Sequence, residues 1–185
     1  SDHFVKDIDV TMQVIPLRKV LKLFLEQISV LDQVFLYIKE LKSEEAAGTT
    51  SNFLQAQLWK TMKDGFDYFQ QLNDLNLLLP IYMYLDDYEC GNPLGSGKGQ
   101  NKLCGVYIVL PFLPTHHRGV LKNIFLFANF YSKDRKKCGN EVIFARLLEE
   151  LQFLSNSGID IETEKFRGNI KLPLALMLGD NLGLH

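Results

Sequence analysis

Leu77-Leu78-Leu79-Pro80-Ile81-Tyr82-Met83-Tyr84-Leu85-Asp86-Asp87 is the stretch from which the fold is read. Residues 77–85 are almost unbroken apolar, too short for a helix, and end on two carboxylates, the pattern of a buried strand. Residues 103–112, with Val106, Tyr107, Ile108 and Val109, predict a second strand, and residues 123–131 a third. A Gly-, Asn- and Pro-rich loop over 90–101 and a turn over 111–119 connect them. A basic loop over 133–140 leads into a helix over 141–156 on Ile143, Leu147, Leu151 and Leu154, with Gly158 as its stop. Residues 171–178 predict a fourth strand that delivers Gly179-Asp180. A three-strand meander, a crossover helix and a fourth strand allow the last strand to lie parallel beside the first. The C-terminal ends of those two strands, carrying Asp86 and Asp180, are then neighbours.

Upstream, residues 15–41 predict one amphipathic helix, with Leu17, Leu21, Phe24, Ile28, Leu31, Phe35 and Ile38 on its apolar face. Pro16 suits its first turn. A polar loop over 42–52 follows, then a second helix capped by Ser51 or Asn52, with Leu58, Met62, Phe66 and Phe69 on one side. The expected division is a helical arm over 1–50 and a core over 51–185. The face over 15–41 packs against the core or serves a partner or a second copy.

The 185 residues carry 20 Lys and Arg against 22 Asp and Glu, a net charge of −2, so polybasic binding to nucleic acid by charge alone is excluded. The 46% apolar and 23% charged composition is that of a globular domain. Cys90, Cys104 and Cys138 are widely spaced and form no CxxC pair, which argues against a disulfide framework and a complete zinc site and favours a reducing compartment. No leader-like segment opens the sequence, and Lys19, Lys22, Glu26, Asp32 and Lys39 interrupt its greasiest stretch, so no membrane span is expected.

Few motifs carry chemistry. Two carboxylates at adjacent strand ends repel unless a cation neutralises them, and Mg²⁺ accepts such hard oxygen ligands together with phosphate oxygens. Two such ions support phosphodiester cleavage. The plain alternative is that Asp86, Asp87 and Asp180 are turn residues. The run Gly91-Asn92-Pro93-Leu94-Gly95-Ser96-Gly97-Lys98-Gly99 is not a phosphate loop, because five residues separate Gly91 from Gly97 and Gly99 replaces the Ser or Thr. His116-His117, adjacent in a connection, point in different directions and rarely share a metal. Lys133, Arg135, Lys136 and Lys137 are candidates for contact with a DNA backbone, or simply a solvated loop.

Three stretches taken together say more: Leu85-Asp86-Asp87-Tyr88-Glu89 running into Gly91-Asn92-Pro93-Leu94-Gly95-Ser96; Leu148-Glu149-Glu150-Leu151 ahead of Gly158-Ile159; and Leu178-Gly179-Asp180-Asn181-Leu182-Gly183-Leu184-His185. In this order and spacing the chain resembles the catalytic region of CACTA-type (En/Spm-like) and related eukaryotic DDE/D transposases over residues 53–185. Leu110-Pro111 to Pro114 also fits that pattern. The resemblance implies an RNase H-like fold and an acidic triad holding Mg²⁺ or Mn²⁺. Asp86 takes the place of the first aspartate, with Asp87 second in rank, and Asp180 that of the second. The family's zinc-binding insertion and third acid would lie beyond His185.

The expectation is therefore an α/β protein, a partial RNase H-like sheet with N-terminal helices. Its function would be that of a transposase-derived catalytic-core fragment, ancestrally cutting and joining DNA strands, weak or inactive alone. The alternative is a captured, non-catalytic interaction or dimerisation module. DNA as partner and a nuclear site follow from the resemblance; a cytoplasmic site is the other expectation.

Overall fold

A five-stranded mixed sheet is organised around the strand that follows Pro80. The computed structural model describes residues 12–63, 76–89, 102–118 and 120–179. The strands are β1 (Gln13–Val14), β2 (Asn76–Leu78), β3 (Ile81–Glu89), β4 (Lys102–Val109), β5 (Ile124–Tyr131), β6 (Ile159–Glu162), β7 (Arg167–Lys171) and β8 (Leu174–Gly179). The helices are α1 (Leu17–Leu25), α2 (Val30–Ala46), α3 (Gln57–Lys63), α4 (Thr115–Arg118), α5 (Ser132–Cys138) and α6 (Asn140–Asn156), with 3₁₀ turns at Phe53–Gln55 and Leu121–Asn123. The main sheet has the order β1-β5-β4-β3-β8, and a smaller sheet the order β2-β7-β6.

β3, β4 and β5 form the expected antiparallel meander, and β8 lies parallel to β3 on its other side. The chain is thus α/β, with helices and a mixed sheet. The run 77–85 is not one strand. β2 pairs parallel with β7 in the small sheet, the chain crosses at Leu79-Pro80, and β3 continues in the main sheet. The 171–178 stretch divides likewise, at Leu172-Pro173 between β7 and β8. Leu79 N donates to Lys171 O at 2.9 Å and Ile81 N to Pro173 O at 3.0 Å, so the two segments run side by side through both sheets. Proline lacks the N–H a ladder needs, which is why each crossing falls there.

The expected helix over 15–41 is two helices. Ser29 adopts φ 67° and ends the first run. Leu17, Leu21 and Leu25 of α1 are fully buried, and after the break Leu31, Val34, Ile38 and Leu41 of α2 are buried in turn. Ile28, expected on the apolar face, sits in the break at 96% exposure. α2 runs to Ala46, into the stretch expected as a loop, because that stretch holds good helix formers up to Gly48. Asn52 caps the 3₁₀ turn, accepting from Leu54 N at 3.0 Å while the Gln55 side chain accepts from Asn52 N. In α3 it is Trp59 that is buried, whereas Leu58 is exposed, so the face expected from Leu58 is rotated. Phe66 and Phe69 lie outside the described residues.

The stretch 133–140, expected as a loop, is mostly the helix α5. No Gly or Pro interrupts it before Gly139, where φ 84° separates α5 from α6. Ile143, Leu147, Leu151 and Leu154 of α6 are buried as expected, and Gly158, at φ 70°, ends the helix with its N–H on Phe153 O at 3.0 Å. Helices α1, α2, α3 and α6 and both sheets share one hydrophobic cluster, with Leu17 and Leu21 in it alongside Trp59, Phe127, Leu147 and Ile170. Arg18 ties α1 to α6: its backbone N–H and Nε both donate to Glu150 Oε1 at 3.0 Å, and its guanidinium lies 3.7 Å over the Phe153 ring.

Candidate functional site

Side chains alternate along β3, so Asp86 and Asp87 leave on opposite faces. Ile81, Met83 and Leu85 are buried on the face that Asp87 shares. There the Asp87 carboxylate accepts from the hydroxyl of Ser132, the buried first residue of α5, at 3.0 Å. It stands opposite Cys104 in the β3–β4 register. Burial, reinforced by the Asp87 charge and hydrogen bond, pushes the Cys104 thiol up to about 12, against the opposing influence of Arg135. Asp87 is thereby engaged in joining β3, β4 and α5.

Asp86 is half-buried on the other face, level with Gly105 of β4, Asn129 of β5 and Gln13 of β1. No described residue donates a hydrogen bond to its carboxylate or forms an ion pair with it. Tyr88 flanks it, its hydroxyl accepting from Asn129 Nδ2 at 2.8 Å. Asn129 Oδ1 is buried and has no hydrogen-bond partner among the described residues. Gly105 leaves a gap in this row, and the Tyr107 ring fills it: a Cβ on Gly105 would meet the phenol oxygen at 2.5 Å. Burial first, then the Tyr88 and Asp86 charges, raise the Tyr107 phenol above its ordinary value, so it stands beside Asp86 as a neutral donor. Tyr84, directly opposite Tyr107 in register, is 37% exposed on the same face.

The β3–β8 ladder runs to the pair Leu85 and Gly179, one residue short of Asp86 on one strand and of Asp180 on the other. Asp180 itself, like the rest of 180–185 and the Gly-rich stretch 90–101, lies outside the described residues. Among the described residues no three His, Cys, Asp or Glu side chains come together to hold a metal. His116 and His117 lie on α4 with ring centroids 4.2 Å apart and planes inclined at 47°, and His117 Nε2 is 2.7 Å from Gln33 Oε1.

The basic residues belong to α5. Lys133 Nζ is 4.8 Å from the centre of the Tyr131 ring, Lys137 is exposed, and Arg135 acts electrostatically on Cys104 on the Asp87 side of the sheet. The Lys136 side chain is outside the described set. The basic group is therefore tied to the face opposite Asp86 through Arg135. Sequence reading missed Gly105, Tyr107 and Asn129. A glycine inside a strand pattern, marking a close approach by another group, was the available signal for the first two.

No family model, curated protein or solved structure matches this chain. No helix among the described residues is long and apolar enough to cross a membrane.

Proposed function

We propose that this chain is a transposase-derived catalytic core of RNase H-like descent, whose chemistry is metal-dependent cleavage and transfer of DNA strands. The observation that carries the reading is the parallel pairing of β8 with β3 up to Leu85 and Gly179, which brings the residues preceding Asp86 and Asp180 side by side. The order β5-β4-β3-β8, an antiparallel meander joined by a parallel strand after a crossover helix, is consistent with the same descent.

The Asp86 side suits a hard divalent ion. Its carboxylate is half-exposed and unpaired among the described residues, whereas Asp87 is held by Ser132 on the other face. Asp86 and Asp180 would hold Mg²⁺ or Mn²⁺, and the ion would supply an activated water or hydroxyl and charge neutralisation at a phosphodiester. Tyr107, kept neutral, has a hydrogen to offer to a phosphate oxygen beside Asp86, and Asn129, anchored by Tyr88, has an acceptor with no partner among the described residues in the same row. Calorimetry with Mn²⁺ tests the reading. Binding should be lost in Asp86→Asn and in Asp180→Asn and kept in Asp87→Asn. Binding indifferent to Asp86, or Mg²⁺-dependent nicking that survives both changes, overturns it.

A second reading, a non-catalytic interaction module, draws on exposed apolar residues. Met177 and Leu178 of the edge strand β8 are 50% and 42% exposed, on opposite faces, and Leu23 and Leu36 are exposed within 15–41. Light scattering that shows a stable dimer together with no Mn²⁺ binding would favour it.

A further inference from the structure

Arg118 ends α4 on a half-buried guanidinium that no carboxylate among the described residues approaches within ion-pair distance. Its neighbours are hydroxyls. Nη2 donates to Tyr37 Oη at 3.1 Å and to Thr115 Oγ1 at 2.7 Å, which uses both of its hydrogens. Nε is buried with no partner among the described residues, and no described acceptor takes the hydrogens of Nη1. Tyr37 Oη also receives Asn52 Nδ2 at 2.8 Å. With two donors on that oxygen, its own hydrogen must point elsewhere, and no described acceptor receives it. Asn52 meets the cluster as a donor: its nitrogen gives hydrogens to Tyr37 Oη and to Pro111 O at 3.3 Å, while its oxygen accepts from Leu54 N. The cluster therefore has a positive charge and a surplus of donors, and among the described residues no anion accepts from them. Unpaired donors and charges of this kind are costly unless a ligand or solvent takes them up.

We infer that Arg118, Tyr37 and Thr115 form a binding site for a phosphate group. Exposed Thr115 and His116 leave it open to solvent on one side. A tetrahedral oxyanion offers oxygens in several directions, which suits donors coming from three residues better than a planar carboxylate does. The charge of Arg118 also reaches the phenol of Tyr82, which lies on the same face of β3 as Asp86. Four residues of strand separate those two positions, about 13 Å at about 3.3 Å per residue. A nucleic-acid strand running along β3 from the Tyr82 end towards Asp86 would have its backbone phosphates on the side that the Arg118 charge reaches. Only this assignment to a nucleic-acid strand rests on the function proposed above; the anion site itself rests on its own donors.

The test is a titration of the whole chain with inorganic phosphate and, separately, with a short oligothymidylate, both without divalent metal. Heat is read by calorimetry and the arginine Nε–Hε signals by NMR. Phosphate should shift the Arg118 signal. Tyr37→Phe, which keeps the ring packing, should weaken binding about ten-fold, the effect of one hydrogen bond to a charged group. Arg118→Gln, with its fold verified by circular dichroism, should abolish it. Asp86→Asn should leave phosphate binding unchanged, so failure of the metal reading is seen separately. Oligothymidylate bound more tightly than phosphate, through Arg118, identifies the strand backbone as the source; equal or weaker binding identifies a free phosphate and keeps the site. No Arg118 shift at millimolar phosphate, or binding unchanged in Arg118→Gln, overturns the proposal.

Discussion

Cys104 shows how one residue on the reverse of the candidate site reports on the fold. Its thiol is buried against Asp87, and burial followed by that carboxylate pushes it up to about 12 from an ordinary value of 9.0. The folded chain keeps this proton at a pH where the unfolded chain has released it. Stability from Cys104 is thus complete below pH 9 and falls as pH rises from 9 towards about 12. Tyr82, raised by burial from 10.0 to about 12, adds to the loss in the upper part of the window. Urea midpoints measured across this range should fall with a slope of up to about 1.4 kcal/mol per pH unit for each group. Cys104→Ala should flatten the lower part of that fall. An equal slope in the variant would show that folding does not raise the Cys104 thiol. The same alternation that puts Asp87 beside Cys104 puts Asp86 on the open face, and that much was readable from the strand pattern. What stands around Asp86 was not: the Tyr107 ring lies over Gly105, opposite Asp86, and Asn129 arrives from β5, 43 positions along the chain.

At the scale of elements, the breaks were harder to read than the elements. The period of three and four over 15–41 continues through Ser29, so nothing in the apolar pattern marks a helix end there. The break exists because α1 buries Leu17, Leu21 and Leu25 while α2 must turn to bury Leu31 and Val34, and the chain pays for the turn with a left-handed serine. Only glycine adopts that conformation without steric cost. Ser29→Gly should therefore stabilise the protein by about 0.5–1 kcal/mol in urea unfolding, as relief of the strain exceeds the added chain entropy. A loss of stability of that size would mean that Ser29 is held by contacts its backbone geometry does not reveal. Pro80 and Pro173 were visible in the sequence but were not read as crossings between sheets. Each looks like an irregularity inside one apolar run until its partner segment is known, because the two crossings are stabilised by each other through Leu79 and Ile81.

For the whole molecule the question is whether the first 50 residues are an arm. Leu17, Leu21 and Leu25 are 0% exposed and belong to the same cluster as the strands of the main sheet, and β1 pairs with β5 at Gln13 and Val14. Burial of one leucine contributes about 1.5–3 kcal/mol, so these three alone approach the whole stability of a typical domain, about 5–15 kcal/mol. A chain of residues 51–185 should consequently show no cooperative thermal transition by circular dichroism. A sharp melt would establish that the helices are dispensable. The amino-acid sequence by itself determined the strand meander and the crossover helix and allowed the parallel return of β8, because each rests on local periodicity and on the few topologies that short connections allow. It placed Asp86 and Asp87 at the end of their apolar run, but β3 continues past both to Glu89 because Tyr88 and Glu89 still pair with Leu103 and Lys102 of β4. Only the tertiary structure decided that β2, β6 and β7 form a second sheet, that α1 and α2 are separate, and that Arg118 donates to the hydroxyls of Tyr37 and Thr115. Those features depend on contacts between segments far apart in the chain, and no local pattern encodes the distance at which two such segments meet.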